Sequence, residues 1–255
     1  MKNQIGNKSI INIAEKFFPN KSAECLRKFV LKDPVPHKLD LKTTEKLALS
    51  IKENSYITLA KLNKLTLCKL HLSHAAVINL GQALNNMDKL EHLDLSFNHI
   101  KHTTFAQFFN NINGKNNLKS LRCLFNSSQP TTVKPATGKP KDEDQIGSIE
   151  EELSNYLHHS STLLHINMSG MNFSFEQIKY IFSNGLRKAR TLLSVHFSGY
   201  MLKDHEMIEL RKTLKVNTVS SQHPAIDTRI LTRYKVAKSH QLQLKEIFGK
   251  SNPSQ

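Results

Sequence analysis

Long apolar runs are missing from this 255-residue chain. Its longest hydrophobic stretches are all broken by Lys, Asn or His, so none has the character of a membrane-spanning helix. Cysteine is scarce: Cys25, Cys68 and Cys123 are too few and too scattered for a disulfide framework. The stretch Ile10-Ile11-Asn12-Ile13-Ala14-Glu15 is too short and too polar for a signal-peptide core. A reduced, cytoplasmic compartment is therefore the expectation. Acidic residues are few as well, 21 against 36 Lys and Arg, for a formal net charge of +15. Charge of that sign leaves protein, nucleic acid and lipid head groups open as acidic partners. The remaining composition, 38% hydrophobic and 22% charged, is that of a globular chain with a core rather than a disordered tail.

A repeat organises what is there. The run Leu90-Glu91-His92-Leu93-Asp94-Leu95-Ser96-Phe97-Asn98-His99-Ile100 satisfies L-x-x-L-x-L-x-x-N-x-I/L at every fixed position, the consensus of leucine-rich repeats. The same template falls on Leu67, Leu70 and Leu72, with Ala75 where Asn is expected, and on Leu118, Leu121, Cys123 and Asn126. It falls again on Leu163, Ile166, Met168 and Met171, and on Leu192, Val195, Phe197 and Tyr200. A weaker first unit is Leu39-Asp40-Leu41. Units beginning at 67, 90, 118, 163 and 192 are about 23, 28, 45 and 29 residues apart, against a usual range of roughly 20–29. The long interval holds residues 127–147, rich in Pro, Thr, Ser and Lys and nearly free of apolar side chains. Such a stretch cannot offset its ordering entropy by burial and is expected to be a disordered insertion.

Each unit is followed by apolar residues at helical spacing: Val77, Leu80, Ala83, Leu84; Phe105, Phe108, Phe109, Ile112; Ile149, Leu153, Tyr156, Leu157. The last two stripes are Ile178, Ile181, Phe182, Leu186 and Met207, Ile208, Leu210, Leu214. A strand plus a full helix per unit resembles the ribonuclease-inhibitor type of leucine-rich repeat, over roughly Pro36 to Leu214. That resemblance implies an α/β solenoid of about six repeats, with a parallel sheet on the concave face and helices on the convex one. Ser161 to Asn172 and Leu192 to Gly199 also resemble repeats of CARMIL-like cytoskeletal regulators and of ciliate leucine-rich-repeat proteins, which implies a cytoskeletal or ciliary setting. Solenoids need capped ends. Residues 1–35 are expected to form a helical cap with helices over 10–18 and 23–31, residues 36–217 the repeats, and residues 218–255 a basic tail or capping helix.

No motif with catalytic mechanics is found, so a non-enzyme without cofactor or metal is expected. Gly249-Lys250-Ser251 lacks the first glycine and the leading strand of a phosphate-binding loop. Cys68, His71 and His74 have metal-like spacing, yet the template sets them beside strand leucines as exposed polar residues; a fourth ligand could come only from a neighbouring strand, such as His92, and nothing in the spacing demands it. His158-His159 and Asp204-His205-Glu206 fit the end and the start of helices. Cys25 and Cys123 fall on apolar patterns and are expected to be buried and inert.

Binding is expected on the concave sheet, where outward strand positions line up as columns. The central column would carry His71, Asp94, Arg122, Asn167 and His196, with His92 and His165 beside it. Phe97, Leu124 and Phe125 are apolar at positions expected to face solvent. They either form a protein-binding cluster or pack on one another inside the ascending loops. A protein partner is favoured; nucleic acid, which would use the same lysines, is the alternative.

Overall fold

The computed structural model describes residues 6–32, 39–112, 117–124, 126, 147–200 and 202–215. Six strands pair in parallel and in chain order: β1 Lys28–Lys32, β2 Lys64–Cys68, β3 His92–Asp94, β4 Ser120–Arg122, β5 His165–Asn167 and β6 Ser194–His196. After α1 (Asn7–Asn12), every strand is followed by a helix: α2 Leu41–Asn54, α3 His74–Leu84, α4 His102–Asn111, α5 Ile149–His159, α6 Phe175–Tyr180 and α7 Asp204–Lys215. The helix α6 runs on into wider π turns over Ile181–Leu186. Successive helices pack side by side, as the strands do. A sheet in strict chain order with one helix per crossover is a leucine-rich-repeat solenoid of six repeats, the α/β architecture expected.

The core lies between the two layers, because one stripe of each helix and the inner residues of each strand have nowhere else to shed water. Leu65, Leu93, Leu121, Ile166 and Val195 form one inner row and are all buried. The stripes of α3, α4, α5 and α6 are buried as expected, each large side chain contributing about 1.5–3 kcal/mol relative to exposure. In α7 only part of the stripe is: Leu210 is buried, whereas Ile208 is 49% exposed.

Buried asparagines tie the turns together. Asn98 accepts from the Leu70 N–H and donates to the Leu67 and Leu95 carbonyls, at 2.7–2.8 Å. One repeat later, 28 residues on, Asn126 accepts from the Asn98 N–H and donates to Leu95 O. Met171 and Tyr200 occupy the corresponding slots further along. The Tyr200 hydroxyl performs both asparagine tasks, donating to Met168 O and accepting from the Met171 N–H at 3.3 Å. Without such partners these buried backbone groups would each cost about 1–3 kcal/mol.

Three local expectations are corrected. The second repeat begins at Leu62, not Leu67: Leu65 pairs with Leu93 and Thr66 with Asp94. The run Leu62, Leu65, Leu67, Leu70, Leu72 fits the template in two frames five residues apart. Only pairing with β3 selects between them. The first strand is Lys28–Lys32, within the segment expected to be a second cap helix, and its burial alternates as a strand's must. Residues 39–41 are the start of a helix instead, where the Asp40 carboxylate accepts from the Thr43 N–H and caps α2. Cys25 ends a short 3₁₀ turn and is exposed, since the helix that would have buried it does not form. The expected insertion (127–146 of it) and the tail 218–255 lie outside the described residues.

Candidate functional site

The register defines the outward columns. The first carries Lys28, Lys64, His92, Ser120, His165 and Ser194; the second carries Val30, Thr66, Asp94, Arg122, Asn167 and His196. Lys28, Val30, His92, Arg122, His165 and His196 are exposed, Asp94 and Asn167 are half-buried, and Thr66 is buried. Asp94 holds the only carboxylate of the two columns, and it is partly committed: Oδ1 accepts from the Ser96 N–H at 3.0 Å, and Oδ2 lies 4.0 Å from Arg122 Nε. Asn167 makes the same local bond to the Ser169 N–H. Asp94 and Asn167 therefore close the ends of their strands, as short Asx side chains do. The exposed surface they leave is cationic.

The next column explains why so little of it is open. Ser96 and Ser169 are buried, and their hydroxyls accept from the Leu124 and Ser198 N–H groups of the following repeats. Cys68 is buried in the same column. Leu124 is half-buried, and so is Phe97, whose N–H donates to Leu124 O. Lys69 Nζ sits 6.0 Å from the centre of the Phe97 ring, a cation–π contact of about 0.5–1 kcal/mol at such a site. Phe97 and Leu124 thus come together between repeats 3 and 4; Phe125 lies outside the described residues.

His71 leaves the sheet altogether. With the second repeat beginning at Leu62, it falls in the loop after β2 with a left-handed backbone, φ 54°. Its ring stacks on that of His99, centroids 5.4 Å apart and planes 18° from parallel. The Cys68, His71, His74 group does not assemble either, since His74 Nδ1 is 2.9 Å from Thr104 Oγ1. Among the described residues no cluster of three or more metal-binding side chains occurs. His99 was missed by sequence reasoning. Its signal was its place one residue before Ile100, the slot that His71 holds before Leu72, 28 residues earlier.

The remaining candidates have structural roles. His158 and His159 end α5 with rings 4.6 Å apart. Burial lowers the His158 pKa, and the charges of His159, Lys188 and Arg190 lower it further. Asp204 and Glu206 lie in the first turn of α7, where Glu206 accepts from the Lys203 N–H. Burial pushes the Cys123 thiol far above its ordinary range, with Asp94 adding to the effect, so it is no nucleophile. Among the described residues no helix is long and apolar enough to cross a membrane.

No protein-family model matches the chain, and no curated protein is detectably similar. Among solved structures it is similar to the leucine-rich-repeat-containing protein LegL7 from Legionella pneumophila, at 15% identity and a TM-score of 0.43. That match covers 87% of this chain and spans 62% of the length of LegL7.

Proposed function

We propose that this chain is a non-catalytic protein-interaction module that holds an acidic partner on the concave face of its sheet, in a cytoskeletal scaffold. The observation that carries the reading is the set of outward columns. Among the described residues, the strands carry Lys28, Lys32, Lys64 and Arg122 with Asp94 as their one acid, and side by side they present one extended surface. Complementary charge speeds encounter and fixes orientation more than it adds affinity. A strand and a full helix per repeat support the ribonuclease-inhibitor variety of the fold. The limits of the repeat domain at 36–217 and of its flanking cap and tail belong to the same reading, with β1 extending the sheet into the expected cap.

The +15 charge favours one rival, a polyanion binder of RNA or acidic membrane. Co-sedimentation of the full chain with actin filaments and microtubules, across rising salt and with added RNA, separates the two. Pelleting that persists at physiological salt, resists RNA and is lost in Arg122→Glu is the expected result. Complete release at physiological ionic strength, where surface charges are screened beyond about 8 Å, together with displacement by RNA would overturn the reading.

A further inference from the structure

Resting on the reading of an acidic partner, we infer that part of this partner is held as an added strand. Its seat is the outer edge of β1, and the fitting segment is an extended peptide of the pattern acid-x-apolar-x-acid. β1 is the first strand of the sheet, and among the described residues no strand pairs with its outer side. A parallel ladder engages alternate residues of each strand. The Lys64 N–H donates to Arg27 O at 3.1 Å, and the register Lys28↔Lys64 then makes Phe29 and Leu31 the residues that bond to β2. Lys28, Val30 and Lys32 turn their N–H and C=O groups to the open edge. A row of such groups is a template for one more strand, and its spacing matches another peptide backbone rather than a nucleic acid.

The side chains decide which strand fits. Leu31 is buried, and Phe29 packs edge-on against Phe18 with ring centres 5.2 Å apart, so β1 is anchored on its inner face. Its outer face carries Lys28 and Lys32, both exposed, on either side of Val30, which is 42% exposed. Lysine at a sheet edge guards against self-pairing, and here it selects the occupant. Two copies joined antiparallel about Val30 would set Lys28 against Lys32 at both ends, a repulsive cross-strand pair. The chain's own segment with Arg229, Arg233, Lys235 and Lys238 is repelled for the same reason. A carboxylate beside each lysine gives a favourable pair instead, with an apolar residue beside Val30 between them. Among the described residues neither Lys28 nor Lys32 makes an ion pair. Of the acids that flank the strand in sequence, Glu24 is half-buried in the 3₁₀ turn before it and Asp33 lies outside the described residues.

The test is fluorescence anisotropy of a labelled Glu-Thr-Val-Thr-Glu peptide with the full chain, beside the same peptide N-methylated throughout, each protein variant first shown to melt like the parent. N-methylation keeps both carboxylates but prevents entry into a ladder, and binding should be lost. Val30→Pro removes one outward N–H at a place where an edge strand tolerates proline, and should weaken binding roughly 3- to 10-fold, the value of one hydrogen bond. Lys28→Gln combined with Lys32→Gln should weaken it by a similar factor, roughly 3- to 10-fold, and the remote Lys188→Gln should leave it unchanged. Equal binding of the N-methylated peptide would overturn strand addition while leaving an acidic partner in place. Loss in Arg122→Gln with no effect of the β1 variants would overturn the edge as the seat and leave the concave-face reading intact. Failure of the unmodified peptide to bind the parent chain would also overturn it, since the co-sedimentation above decides separately whether an acidic partner is held at all.

Discussion

Repeats 2 and 3 and repeats 5 and 6 build the same strand, turn and helix from different side chains. In the first pair a buried asparagine amide satisfies the turn; in the second the Tyr200 hydroxyl does so from a longer side chain. In the first pair the left-handed positions carry Lys69, His71, Phe97 and His99; in the second they carry Gly170, Asn172 and Gly199. Helix starts differ too. Ser174 and Gln177 form a reciprocal capping box on α6, while α3 relies on Ser73 alone. The second pair conforms to local preference and the first departs from it with a lysine, two histidines and a phenylalanine. The two halves also touch directly, since His102 at the start of α4 reaches the Met171 carbonyl, 69 residues away, at 2.7 Å.

The largest test of this contrast is the turn itself. Asn98→Ala removes the side-chain partner of the Leu70 N–H and the Leu67 carbonyl, while Leu95 O keeps Asn126 Nδ2, and urea unfolding should show a loss of about 3 kcal/mol. Tyr200→Phe removes one hydroxyl serving two groups and should cost about 2 kcal/mol. A neutral Tyr200→Phe would break the equivalence of the two turns. Next in size is the close approach of α5 to the π turns after α6. A Cβ on Gly185 would lie 3.0 Å from Ser154 Cα, so Gly185→Ala should cost about 1–3 kcal/mol by the same measurement. The Ser154 hydroxyl is buried without a hydrogen-bond partner, and Ser154→Ala should therefore be neutral or stabilising by up to about 1 kcal/mol.

Smaller still are exchanges between the left-handed positions. Gly199 has φ 84° and ordinary space around it, so Gly199→Ala should cost about 1 kcal/mol through the backbone alone. Lys69→Gly should be neutral or stabilising by about 0.5 kcal/mol, and a large loss there would show that the Lys69 side chain supports the turn. The smallest effects are electrostatic and of opposite pH sense. Hydrogen bonds from Thr43 and Lys119 hold the Asp40 and Glu91 carboxyls below their ordinary range. Their stabilisation is complete above the unfolded-state carboxylate pKa and fades as pH falls through the lowered folded values. Glu209 raises the Lys179 pKa, so that contribution is complete below the ordinary lysine value and fades as pH rises through the raised one. Asp40→Asn should flatten the acid limb of a melting-temperature profile and Lys179→Met the alkaline limb, each slightly, because Asp40 is exposed and Lys179 no more than half-buried.

The helical stripes were legible in sequence because a 3.6-residue apolar period over ten or more residues has few other readings. The third, fourth, fifth and sixth strands were legible for a similar reason, each anchored by a well-spaced template. The second slipped by five residues, since Leu62 to Leu72 satisfies the template twice, and with it His71 was misplaced onto the sheet. The first strand was hidden because Ala23, Leu26 and Val30 also make a helical stripe, and only hydrogen bonding to β2 decides for a strand. Of the candidate site, His92, Asp94, Arg122, Asn167 and His196 lie in the columns assigned to them. Asp94 and Asn167 proved to be strand-end caps as well, a bond within two residues that column position does not reveal.

By itself the sequence determined the repeat, its period of about 28 residues, the asparagine slot and the scarcity of acid. These follow from local spacing and composition, which survive any error of register. Tertiary structure alone decided the frame of the second repeat, the strand at Lys28–Lys32, the hydroxyl that stands in for an asparagine, and the meeting of His71 with His99. Each of these depends on lateral contact between neighbouring repeats, 28 or 29 residues apart and 36 for the first strand, where hydrogen-bond geometry selects one register among several that local pattern allows.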